Sequence, residues 1–135
     1  MANPNIVSVT SIYGNTAYVI PSTTGATTSW TYNGTTTLTG LTPATGTVNR
    51  VTSITVANTT SSAATATIGI GNNATFGSAT VVTYPAYQIS VPANATLVVI
   101  DKTNSVYITE NQSVGVTSGT ASALTYTATF EAITS

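Results

Sequence analysis

From Leu124 to Ala132 the chain changes character at every residue. Leu124, Tyr126, Ala128, Phe130 and Ala132 fall on one parity, with Thr125, Thr127, Thr129 and Glu131 on the other. A period of two belongs to a β-strand, here one with a packed face and a wet face. The pattern returns in Ala64, Ala66, Ile68 and Ile70, interleaved with Thr65, Thr67 and Gly69, and again at Ile54 and Val56 around Thr55 within Val48–Ala57. Lys, Arg, Glu and Leu are scarce, while Thr, Val, Ile and Tyr dominate and favour a pleated, half-buried surface.

Turn signals cut the pattern into short pieces. Asn33-Gly34 between Ser29–Tyr32 and Thr35–Leu38 predicts a two-residue type I′ hairpin, because both residues tolerate positive φ. Pro92-Ala93-Asn94 separates Tyr87–Val91 from Thr96–Ile100. Asp101-Lys102-Thr103-Asn104 leads as a type I turn into Ser105–Thr109, and Glu110-Asn111-Gln112 leads into Ser113–Thr117. Strands this short and this evenly spaced predict an all-β fold, an antiparallel β-sandwich of jelly-roll or immunoglobulin-like type with about eight to ten strands. One domain over residues 1–135 is expected from the length. The segment at about 20–47 is rich in Thr and Gly and poor in apolar pattern, so it reads as a loop-and-hairpin excursion from the sandwich.

Charge is nearly missing. Only 4% of residues are ionic, against roughly 25% in an ordinary domain. They are Arg50, Asp101, Lys102, Glu110 and Glu131. Two basic residues cannot form the positive footprint that nucleic acid or an anionic membrane surface requires, so neither is an expected partner. The longest aliphatic run, Leu97–Ile100, is far short of a bilayer span. Met1–Asn5 shows no basic n-region and no apolar stretch follows, so the chain is expected to be complete as translated. What such a surface does favour is packing, since little repulsion holds copies or partners apart.

The same scarcity bears on chemistry. With neither His nor Cys there is no Ser-His or Cys-His arrangement and no thiolate metal site. Asp101, Glu110 and Glu131 are too few for a hard-cation cluster, and Asp101 with Asn104 reads as a turn cap before it reads as an ion site. Gly69-Ile70-Gly71 lacks the rest of a phosphate-binding loop. The five glycosylation sequons, at Asn33, Asn58, Asn73, Asn94 and Asn111, follow from a composition rich in Asn and Thr. The expectation is therefore no enzyme, no catalytic residue, no cofactor and no metal. The aromatics say more. Tyr107 and Tyr126 read as sheet packing, whereas Trp30, Tyr32 and Asn33 at the hairpin, with Tyr13 and Tyr18, are the candidate interface residues.

The stretch Ile89-Ser90-Val91-Pro92-Ala93-Asn94-Ala95-Thr96-Leu97-Val98-Val99-Ile100-Asp101-Lys102-Thr103-Asn104-Ser105-Val106-Tyr107-Ile108-Thr109-Glu110-Asn111-Gln112-Ser113-Val114 resembles small virion structural proteins of tailed bacteriophages, particularly those of marine cyanophages. A strand ending in V-P, then L-V-V-I, a K-x-x-S turn and a short strand carrying Tyr are shared. Val7–Ala17 looks like the same family's N-terminus, and the likeness covers about half the chain. Where the family has an acidic E-x-G-D turn, this chain reads Glu110-Asn111-Gln112-Ser113. The resemblance implies a place in the virion, as a capsid decoration (cement) protein bridging capsid subunits. Its partners would be the major capsid protein or other virion proteins, and it would act as a homo-oligomer such as a trimer. A neck, tail or fibre-attachment protein is the alternative within the virion. A glycan-binding surface adhesin, with Trp30 and Tyr32 as a sugar platform, is the alternative of another class.

Overall fold

The computed structural model describes residues 7–74 and 81–135, without the side chains at 81 and 82. The opening residues read above for a leader lie outside them. The strands are β1 (Ser11–Val19), β2 (Ser29–Tyr32), β3 (Thr36–Thr39), β4 (Thr47–Asn58), β5 (Ala64–Gly71), β6 (Val81–Val91), β7 (Thr96–Ile100), β8 (Val106–Ile108), β9 (Ser113–Ser118) and β10 (Leu124–Thr134). The fold is all-β, as two antiparallel sheets packed face to face. One has seven strands in the order β3-β2-β1-β10-β4-β7, with β8 also on β4; the other has three in the order β6-β5-β9.

The alternating segment explains the centre of this arrangement. β10 lies between β1 and β4, buries Leu124, Tyr126, Ala128 and Phe130, and turns Thr125, Thr127 and Thr129 outward. On the facing sheet, Ala64, Ala66, Ile68 and Ile70 of β5 and Val114 and Val116 of β9 complete one apolar cluster with them. Buried amides lock the ends. Asn58 donates from Nδ2 to Ser62 O (2.8 Å) and Val91 O (2.9 Å), while its Oδ1 accepts from Thr60 N (3.0 Å) and Thr60 Oγ1 (2.8 Å). That amide closes the turn after β4 and pins it to the end of β6. The expected turns are present: Asn104 N bonds to Asp101 O, and Gln112 N bonds to Thr109 O. The chain passes from the small sheet to the large one through Pro92–Ala95.

Two expectations need correction. The Asn33-Gly34 turn does have positive φ at both residues (52° and 81°), but the ladder resumes at Tyr32 opposite Thr36, so the loop has three residues. Segment 20–47 is also no excursion. Its hairpin extends the large sheet beyond β1, and its flanks seal the free edge of β9. Thr27 and Val116 exchange two backbone bonds (2.9 and 3.0 Å), and Val114 N donates to Gly40 O at 2.7 Å. Gly40 has φ +65°, and a Cβ there would sit 2.5 Å from Ser113 Cβ, so both conformation and close approach require glycine. The alternation test misses this segment because it is held by backbone bonds to a distant strand.

Two aromatic tips cross between the sheets. Trp30 Nε1 donates to Val114 O at 3.1 Å, and the Tyr126 hydroxyl donates to Thr117 O at 2.6 Å. Burial pushes the Tyr126 phenol up from 10.0 to about 12. Because the folded state favours the protonated form, this contribution is full below pH 10 and is lost as pH rises towards 12. A two-unit gap corresponds to at most about 3 kcal/mol. Denaturant melts between pH 9 and 12 should show a steeper loss of stability for the native chain than for Tyr126→Phe; parallel curves would show that this phenol does not carry the effect.

Candidate functional site

Three strands cannot cover seven, and the inner face of the large sheet stays open at one end. The opening is a groove of about 270 Å³ between the first half of β1, the β2–β3 hairpin and the end of β10. Alternation sets its lining. Tyr13, Asn15 and Ala17 share the inward parity of β1, with Tyr13 opposite Ala132 and Asn15 opposite Phe130. Tyr32 stands opposite Ala17 and meets Phe130 edge to face, with centroids 6.3 Å apart at 60°. Leu38 and Pro43 close the far wall. Tyr13 forms the lip and is 67% exposed.

The five residues singled out from the sequence thus part company. Tyr13 and Tyr32 come together in the groove, and Asn33 lies exposed in the turn beside it. Trp30 is not an interface residue: it is 0% exposed, because it shares the inward face of β2 with Tyr32 and points under β9. With its indole N–H satisfied by Val114 O, it cannot serve as a sugar platform either. Tyr18 lies on the opposite, outer face of the large sheet. There it continues a cross-strand row with Thr31, Thr127, Thr55 and Val98. Four residues further along β10 from Thr127, on the same face, Glu131 and Arg50 form a surface ion pair at 3.6 Å, a contact of little energetic weight.

The remaining acids stay apart. Asp101 Oδ1 accepts from Thr103 Oγ1 (2.6 Å) and Thr103 N (2.8 Å), which hold its carboxyl below the usual range, and Asn104 Oδ1 accepts from Asp101 N (2.7 Å). Both side chains are thereby used as turn caps. Glu110 sits in the β8–β9 turn. No three acids gather among the described residues.

A second surface feature escaped the sequence reading. On the outer face of the small sheet, Tyr84 and Tyr87 stand together with ring centroids 4.9 Å apart at 65°, beside a depression of about 240 Å³ floored by Gly69 and Gly115. Residues three apart in a regular strand face opposite ways, so only the bulged course of β6 unites them. Comparison with protein-family models, curated proteins and solved structures finds no match for this chain.

The two aromatic sets separate experimentally. Trp30→Ala should cost about 3–5 kcal/mol of folding stability, the cost of emptying a large core site. Tyr13→Ala, on the groove lip, should change it by no more than about 0.5 kcal/mol. Chemical denaturation of both variants checks the assignment, and a mild Trp30→Ala phenotype would contradict it.

Proposed function

We propose that this chain is a non-catalytic structural protein of a bacteriophage virion, a capsid decoration (cement) protein that bridges subunits through close-fitting neutral surface. The observation that carries the reading is the outer face of the large sheet. In register across β2, β1, β10, β4 and β7, Thr31, Tyr18, Thr127, Thr55 and Val98 present hydroxyl, phenol and methyl groups with no charge among them. The groove with Tyr13 and Tyr32 adds an aromatic indentation that a partner's side chain can fill. The likeness of Ile89–Val114 to cyanophage virion proteins supplies the setting. Five charged residues in the whole chain make contact by shape and apolar burial the available mechanism.

The edges fit a module that joins neighbours in a defined way. The free edge of β9 is closed by its own chain, whereas β3, with Thr36, Thr37 and Thr39 exposed, has no strand on its other side among the described residues. It offers backbone groups to the major capsid protein or to a second copy in a homo-oligomer.

Binding of this kind is insensitive to ionic strength. Washing purified particles in about 1 M salt, where the screening length is about 3 Å, should leave the protein in place. Release by salt alone would contradict the mechanism. Labelled antibody on intact particles should show a lattice over the head; label confined to the neck or tail would move the same module there.

A further inference from the structure

The small sheet carries a feature that neither core packing nor particle docking uses. β6 is its edge strand, and it is irregular. Opposite Ala66 to Ile68 of β5 it runs from Ile89 to Ala86, and opposite Ile68 to Ile70 it runs from Ala86 to Thr83. In each interval β6 advances three residues while β5 advances two. Each extra residue reverses the facing of the side chains beyond it, so Tyr84 and Tyr87 both come to overlook the outer face. Within the second bulge sits Pro85, which lacks the N–H that a regular ladder would need. Gln88 follows with φ 48°, a left-handed conformation uncommon for a side chain of its size. Its backbone N–H is held by Thr67 Oγ1 at 3.0 Å.

The surroundings have one chemistry. Gly69 and Gly115 are paired across β5 and β9, so the floor beside the rings lacks side chains. Thr67 and Thr117 are also paired, and they place two hydroxyls along one side. Ala26 and Gln88, the latter bringing a carboxamide side chain, complete the lining. Tyr84 is 47% exposed and Tyr87 57%. Every polar group here is an uncharged donor or acceptor; Arg50, Asp101, Lys102, Glu110 and Glu131 are absent from the lining. Aromatic bodies give apolar contact to the C–H face of a sugar, and a carboxamide, with one acceptor and two donors, matches vicinal hydroxyls. At about 240 Å³ the depression lies just below the roughly 300–1,000 Å³ of small-molecule pockets, room for one ring with its neighbours left in solvent.

We propose that the Tyr84–Tyr87 depression is a binding subsite for one ring of a neutral saccharide. It would give the protein a recognition role beyond assembly, and it does not rest on a place in the virion. The test is an amide-resolved NMR titration of the full chain with neutral oligosaccharides built from glucose, galactose, mannose and N-acetylhexosamine, and in parallel with a proline-rich peptide. Expected is at least one oligosaccharide that shifts the amides of Tyr84, Tyr87, Gln88, Thr67 and Thr117 together. Tyr87→Ala should weaken that binding by about tenfold or more, as for a central aromatic anchor. Gln88→Gly should also weaken it while easing the left-handed backbone, so loss of fold cannot explain the result. No response to any sugar, shifts centred on Tyr13 and Tyr32, unchanged affinity in both variants, or a response to the peptide alone would each overturn the proposal.

Discussion

The sandwich depends on how the free edge of β9 is closed. A three-stranded sheet facing a seven-stranded one has two edges, and a β9 edge left open would expose unpaired backbone beside the core. Instead Thr27, Gly40 and the Trp30 indole supply partners to Val114 and Val116, so the edge finishes inside the molecule. The same contacts fix the hairpin β2–β3 on the large sheet, and the hairpin in turn builds one wall of the groove. Threonine and glycine in this stretch are what allow it: small side chains let two backbones approach, and Gly40 admits the closest contact.

A good part of this architecture can be read from residues alone. The parity of Leu124–Ala132 places β10 with one buried face, and the Asp101 and Glu110 turns set the limits of β7, β8 and β9. These are local signals, carried by neighbours in sequence. What depends on distant partners stays hidden. Nothing near Trp30 announces that its indole will meet Val114, so an aromatic beside a hairpin looks exposed when it is the buried anchor of the seam. Tyr84 and Tyr87 are hidden for another reason. Three positions apart, they fall on opposite faces under a strict period of two, and the bulges that overrule this arise from pairing with β5. Tyr13 and Tyr32 could be named as exposed aromatics, but their sharing one groove is a matter of register.

The scarcity of charge runs through both functional readings. Hydroxyls and amides on a sheet bond water when exposed and lose little when a neutral surface that hydrogen-bonds them replaces it, whereas ionic groups are costly to desolvate. The large sheet offers this chemistry as a broad face and the small sheet offers it as a hollow beside two rings. On both proposals, one composition serves adhesion at two scales.

The position of β10 also governs when the molecule can form. It pairs along its length with β1, Ser11 to Val19 lying opposite Thr134 to Tyr126, and on its other side with β4. A ribosome must therefore release more than a hundred residues after β1 before the strand that joins β1 to β4 exists. Until then the nascent chain can assemble no central sheet, and its apolar faces must wait in solution or with a chaperone. Synthesis of β10 and completion of the central sheet thus become a single event, so a chain that stops before β10 lacks the face that the proposed docking would use.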